Sequence, residues 1–561
     1  MSKPAPIRLR DVEAVRRALS KGAANATELL QSLVGRPVRS AAALREWHDA
    51  LLFVLAHPPS ESMATVAQHE LHRVAQIARD VAAEPDASEL ALINSGIEGT
   101  TIEGVFSLTL VRWLSDRWPG AVQLAAIDAP IEEVRELLRG LLLPIEWESV
   151  DLLGDDNDEL CRAVLGEASL ATLVRLLEQA PVSEHVRTLW FARLQVRVSV
   201  SGAATGCSTT QARAPRDALF VLDTPFVRAV DVRAVVAQPL NAPVSLCPRE
   251  RSALISTART VLATLERETD PVTYTGHVSL HDMGRGLRIA LYSLAPPQRL
   301  PFDSYVGFMA FRNGVPLAYG GTWIFPGRSK IGINVFEAQR GGESAWFFAQ
   351  LLRLYAQTFA VSRFEVENYQ LGYGNADGLR SGAYWFYYRL GFRPVAPSLQ
   401  IIAEREFRKL SSESGYPVPL PLLRSLVAEG LELDLRVPES AVITPEPLDT
   451  AALTLAVQTY IVQQYDGDRR TALQRALTRL RATLPLGDTR TWSADERTAL
   501  EMWALPIDMI RDLEQWTTSE RQALVRVVRS KGATTETQHQ RLLAAHTRVL
   551  DAWRRYCDDL R

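Results

Sequence analysis

Lysine is scarce in this chain. Of 561 residues, only Lys3, Lys21, Lys330, Lys409 and Lys531 are lysine, and every other basic residue is arginine. That bias fits a GC-rich bacterial coding preference better than a dedicated guanidinium function. Cysteine is scarce too. Cys161, Cys207, Cys247 and Cys557 are far apart with no CxxC pair, which argues against a disulfide framework or a zinc site and fits a reducing cytosol. Net charge is also small, at -3, so nothing global draws the chain to nucleic acid or to an anionic membrane. No apolar run approaches the roughly 20 residues of a membrane helix, and residues 1–22 lack a signal-peptide core. The expectation is a soluble, cytoplasmic, multidomain protein with no metal and no membrane partner.

Hydrophobic content of 47% and charged content of 23% are ordinary for globular protein. The length suggests two to four domains at roughly 100–200 residues each. Residues 1–245 read as a mainly α-helical domain. Leu44, Trp47, Leu51, Val54 and Leu55 form an apolar helix face that stops at Pro58-Pro59. Met63 to Val81, Phe106 to Trp118 and Ile131 to Leu143 continue in helical period, whereas His185 to Val200 is apolar with ambiguous period. His69-Glu70-Leu71-His72 has its histidines three apart, so it reads as a solvated helix face rather than a zinc motif. Asp155 to Glu159 lacks the glycine of a calcium loop and reads as acidic residues at a helix start.

From Pro248 the pattern changes, and residues 246–410 read as an α+β unit. Arg249 to Glu268 is helical. Strand-like runs follow, and Arg312-Asn313-Gly314 between two of them is a strong hairpin signal, because both central residues tolerate positive φ. Residues 411–561 read as a Pro-rich linker followed by a helical domain. It has capping boxes at Ser493–Glu496 and Thr517–Glu520, and one long final helix from Thr535 to Leu560.

The chemistry concentrates between Ser329 and Phe392. The loop Gln339-Arg340-Gly341-Gly342-Glu343-Ser344 follows a strand and opens a helix running from about Glu343 to Phe359. Unpaired N–H groups and the partial positive charge of a helix start suit a phosphate. Gly341 and Gly342 permit close approach, and Arg340 adds charge. The next strand is read as Arg363 to Gln370, with Glu365 and Glu367 on one face as carboxylates able to act as a base or to pair with Arg363. A Gly-rich turn then leads into an aromatic helix from Leu379 to Leu390 carrying Tyr384, Trp385, Phe386, Tyr387 and Tyr388.

This order of elements resembles the GNAT (N-acetyltransferase) superfamily over about residues 250–400. The family's acyl-CoA loop, Gln or Arg-x-x-Gly-x-Gly or Ala, is matched by Gln339, Gly342 and Ser344. Its later helix is matched by Ala383, Phe386, Tyr387, Gly391 and Phe392, with Arg380 standing where Asn is usual. The resemblance implies a mixed twisted sheet with helices on both faces and a pantetheine arm inserted where two strands splay apart. It implies acetyl-CoA or another acyl-CoA as donor, cradled by residues 339–344. It also implies attack by an amine, with Tyr387 as the acid for the leaving thiolate. Glu337 and Glu367 are the base candidates, with Tyr319, His281 and Tyr373 behind them. The function expected is N-acyl transfer to an amine, with the helical flanks choosing the acceptor or a protein partner. The alternative is a non-catalytic scaffold with an acyltransferase-like fold. One motif-bearing copy and no basic excess argue against aminoacyl transfer from a charged tRNA.

Overall fold

The computed structural model describes residues 5–82, 91–152, 156–167, 169–202, 204, 206–413, 415–436 and 448–559. Two sheets organise it. The smaller contains β1 (Ile102–Val105), β2 (Val122–Ile127) and β3 (Val196–Val200), antiparallel in the order β1-β3-β2. The larger has eight strands: β4 (Thr275–Gly284), β5 (Leu287–Leu294), β6 (Ser304–Arg312), β7 (Val315–Phe325), β8 (Arg328–Val335), β9 (Arg363–Val366), β10 (Arg393–Pro394) and β11 (Leu431–Asp434). Their order is β10-β11-β9-β8-β7-β6-β5-β4. Every neighbouring pair is antiparallel except β8 with β9, so the sheet is mixed.

Period-2 alternation gives the large sheet two buried faces. Leu287, Ile289 and Leu291 with Val306, Phe308 and Ala310 meet the helix Ser344–Phe359. Ala290, Tyr292, Met309 and Phe311 meet the helix Pro248–Thr264 on the other side. The first of these helices is buried nearly all round, which is why its sequence is apolar without a polar stripe. Burying Phe347 or Phe348 in it contributes about 2–3 kcal/mol each.

The expected hairpin forms between β6 and β7, with Asn313 at φ 50° and Gly314 at φ 79°. Asn313 also ties the turn to distant chain. Its Nδ2 donates to Ala56 O (3.0 Å) and Phe220 O (2.9 Å), and its Oδ1 accepts from Phe220 N (2.8 Å). The first helices, Leu9–Lys21, Ala26–Leu33, Ala41–Ala56 and Glu61–Ala82, share a core with Val315 and Ala338 and therefore pack on one end of the large sheet.

Several elements differ from the sequence reading. Residues 1–245 hold the three-stranded sheet as well as helices, and that sheet has its own core around Phe106, Leu114, Leu173 and Val198. The ambiguous stretch from His185 resolves into the helix Glu184–Leu194 and then β3, joined at Gln195 with φ 49°. The large sheet extends past residue 410, because β11 inserts between β9 and β10. The final helix is two helices, Thr537–Ala545 and Thr547–Asp559, broken at His546, and Leu560 lies outside the described residues. Both capping boxes form as read. Among the described residues no helix is long and apolar enough to cross a membrane.

Two sites set aside on sequence grounds fall as follows. His69 and His72 are exposed on their helix, but Glu70 between them is buried and accepts from Trp47 Nε1 and Gly35 N, each at 3.2 Å. Asp156 caps the helix Asn157–Leu165 by accepting from Asp158 N at 2.9 Å, and Asp155 lies outside the described residues.

Candidate functional site

The strand pair β8/β9 creates the site. The two are bonded in parallel only at Ser329↔Phe364 and Lys330↔Glu365. β8 then continues to Val335 on β7, while the chain after Val366 turns away into the short helix Asn368–Leu371. The strand expected over Arg363 to Gln370 is thus half that length, because Glu367 is already the residue capping the next helix. A gap opens beside Ile333, Asn334 and Val335 where the ladder stops.

A cavity of about 1290 Å³ occupies that gap. It is lined by Ile333 to Gly341 and Ser344 on one side and by Tyr369, Gln370, Phe386 and Tyr387 on another. Its far wall is built by the N-terminal helices through Glu13, Arg45 and Asp49. Five of the residues selected from sequence for the loop and base, Glu337, Gln339, Arg340, Gly341 and Ser344, therefore meet the sixth, Tyr387, around one space.

The short turn Glu337–Gln339 delivers Gln339 into this wall. Its side chain is 1% exposed, and both amide atoms lack a hydrogen-bond partner among the described residues. A buried amide without partners costs about 1–3 kcal/mol, so a group that supplies them is favoured there. Ser344 is the first residue of the long helix, whose first-turn N–H groups are unpaired by geometry. Tyr387 is buried, and burial raises its phenol above the ordinary range, so it keeps its proton at neutral pH. Its hydroxyl makes no hydrogen bond among the described residues.

Three of the residues read from sequence as site candidates lie outside the cavity lining. Glu343 does not face the cavity. Its carboxylate is buried between Arg285 (2.8 Å) and Arg312 (2.9 Å) and accepts from Val227 N at 2.9 Å, which makes it a structural anchor of the loop. Burial of Arg312 brings its guanidinium down to about 10. Gly342 also lies outside the cavity lining, and both glycines serve packing. A β-carbon on Gly342 would stand 2.8 Å from His57 Nε2, and one on Gly341, at φ 92°, would stand 2.8 Å from Ser20 Cβ. Glu367 is on the surface, paired with Lys330 Nζ at 3.2 Å and outside the cavity. Glu337 lines the cavity but is largely exposed and sits 3.5 Å from Arg340.

The secondary candidates separate as well. Tyr319 lines the cavity and stacks on Phe336, with ring centroids 5.2 Å apart. His281 is buried in β4 against Ser279 Oγ (3.1 Å), with burial lowering it to about 4, and Tyr373 is exposed; neither lines the cavity. Arg380 is exposed and pairs with Asp377. The aromatic helix is split by Gly382 at φ 71° into Ala376–Ser381 and Ala383–Arg389.

Sequence reasoning missed what holds the loop. Arg16 Nη2 donates to Glu337 O at 2.8 Å, and Arg228 Nη2 donates to Gly341 O at 3.2 Å and to Ser20 O. Asn375, which with Asp377 is a cap candidate legible in the Gly-rich turn, does cap its helix through Gly378 N (3.2 Å), and it lines the cavity. Arg16 and Glu337 are 321 residues apart, and no local pattern announces such a pair.

Compared with known proteins, the chain matches no family model, no curated protein and no solved structure.

Proposed function

We propose that this chain is an acyl-CoA-dependent N-acyltransferase that moves an acyl group, acetyl in the simplest case, to an amine. The observation that carries this reading is the cavity where β8 and β9 diverge, with Gln339, Gly341 and Ser344 at one wall and Tyr387 at another. The pantetheine arm fits beside Ile333 to Val335, where β8 has backbone groups that β9 does not pair. The donor phosphates meet the N–H groups at the start of the helix Ser344–Phe359, and the Gln339 amide gains partners. The amine attacks the thioester carbon, its proton passes to a base or to water, and the thiolate departs with a proton from Tyr387. Glu337 is the base candidate that lines the cavity.

Calorimetry with acetyl-CoA tests the reading. Saturable binding is expected, weakened at least about tenfold in Ser344→Glu, which puts a carboxylate at the phosphate position. Absence of binding to the wild type sinks it.

A second reading is a non-catalytic scaffold with this architecture. It is favoured by one observation: Gly341 and Gly342 are already accounted for by packing against Ser20 and His57, without a phosphate. It expects a folded wild type that neither binds nor turns over an acyl-CoA, and measured transfer to any amine excludes it.

A further inference from the structure

A second cavity, of about 540 Å³, lies between the helix Pro248–Thr264 and the start of β4, at the outer edge of the large sheet. One wall is a helical stripe. Arg251, Ile255 and Arg259 recur at four-residue spacing, with Ser252 and Ser256 beside them. The other wall is the start of β4, from Thr275 to Val278, and Trp113 of the smaller-sheet unit completes it. β4 is the outermost strand. Its free edge is first met at Leu280, whose carbonyl accepts from Val244 N at 2.8 Å.

The polar side chains of this lining are donors or donor-capable: two guanidiniums, three hydroxyls and one imidazole, with no carboxylate and no amide. Several are uncommitted. The Ser252 and Ser256 hydroxyls and the His277 imidazole make no hydrogen bond among the described residues, and Arg251 donates only to Leu246 O at 2.8 Å. Arg259 is fixed in place. It donates to Thr273 O (2.7 Å) and Val272 O (3.3 Å) and lies 5.6 Å over the Trp113 ring. The carboxylate that most influences it, Glu268, is taken up by Ser107 N (2.8 Å), Ser107 Oγ (2.6 Å) and Thr273 Oγ1 (2.7 Å). No Asp or Glu forms an ion pair with Arg251 or Arg259 among the described residues. Arg251 and Arg259 stand about two helical turns, roughly 12 Å, apart along the helix axis, so they flank the groove from either end, and an anion held between them at Ser252 and Ser256 is attracted by both.

We propose that this groove is a binding site for a phosphate-type dianion, recognised by Arg251 and Arg259 together with the Ser252 and Ser256 hydroxyls. A phosphate presents tetrahedral oxygens to donors on several sides, which matches donors arriving from a helix and from a strand. His277 sits where it adds a further donor once the anion is bound. Arg251 is the adaptable element, exposed and held by one backbone contact, whereas Arg259 is a fixed point. The site is separate from the large cavity. The same helix reaches that cavity only at its far end, through Val261.

Titration calorimetry with inorganic phosphate and with pyrophosphate, at constant ionic strength, tests the proposal on the full chain. Binding is expected in the wild type. It should weaken at least about tenfold in Arg251→Ala and recover in part in Arg251→Lys, which restores charge without the fork. Arg490→Ala, at an exposed arginine paired with Asp488 and outside both cavity linings, should leave it unchanged. His277 is followed by NMR with labelled histidine, and its ring signals should move with the phosphate titration. Three results overturn the proposal: equal affinity in the wild type and Arg251→Ala, an equal loss of binding in Arg490→Ala, or a weak effect that chloride reproduces, meaning an adventitious ion only. Circular dichroism of each variant keeps a folding defect from being read as lost binding. Because inorganic phosphate is the probe and Arg251 the variant, failure here leaves the acyl-CoA reading standing.

Discussion

His57 Nε2 lies 2.8 Å from the position that a β-carbon on Gly342 would occupy. The imidazole is buried with Phe53 (4.8 Å between ring centroids) and Phe226 (5.3 Å), so it has little room to retreat. Gly342→Ala should therefore destabilise the chain by about 1–3 kcal/mol through overpacking. In a His57→Ala background the same substitution should cost less, because the clashing ring is gone. Chemical denaturation of the four proteins of this cycle gives the coupling directly.

The same histidine makes stability depend on pH. Burial lowers its pKa from 6.5 to about 3, with the charge of Arg312 adding to the effect. Between those values the unfolded chain takes up a proton that the folded chain refuses. Its contribution is thus complete above pH 6.5 and is lost as pH falls towards 3, with a slope of up to about 1.4 kcal/mol per pH unit. His57→Phe should flatten the acid side of the stability profile by about that slope, as read by urea midpoints between pH 7 and 4.

Glu343 is expected to matter for folding. Replacing it by Gln leaves Arg312 buried without an anion and should cost about 3–5 kcal/mol. Adding Arg312→Met should recover part of that loss, since the uncompensated charge goes with it. Thermal melts of the single and double variants check the sign.

On the proposed acyl-transfer reading, Tyr387→Phe should leave the fold and acetyl-CoA affinity near wild type while slowing transfer by about 10²-fold or more, the range of a lost general acid. Glu367→Gln, on the surface against Lys330, should change transfer by less than about twofold. Steady-state rates with a saturating amine separate the two. A Glu367 effect as large as that of Tyr387 would contradict the proposal that a base acts from the cavity wall.

How much of this was legible in the chain depends on the range of the interactions. The Asn313-Gly314 hairpin, both capping boxes and the start of the helix at Ser344 were readable, because each is specified by residues within one or two turns of one another. β9 was overextended because Arg363 to Gln370 alternates as a strand should, yet Leu431 to Asp434 pairs with only its first four residues. The three-stranded sheet was missed because β1 and β2 both depend on β3, from a distant part of the chain, for their pairing.

The candidate site divides the same way. Local sequence brought out the loop from Gln339 to Ser344, since a Gly loop before an apolar helix is a short-range pattern, whereas Tyr387 was singled out of an aromatic helix by the family resemblance. What each residue faces was decided by tertiary contacts. Arg285 and Arg312 turn Glu343 away from the cavity, Ser20 and His57 claim the space beside the glycines, and Lys330 keeps Glu367 at the surface. Backbone propensity and capping act within a few residues, so the sequence by itself determined the elements that neighbouring residues specify, such as the Asn313-Gly314 turn, the two capped helix starts and the helix opening at Ser344. Burial, charge pairing and the end of the β8/β9 ladder require partners from about thirty to about three hundred residues apart, and only the folded chain brings those together.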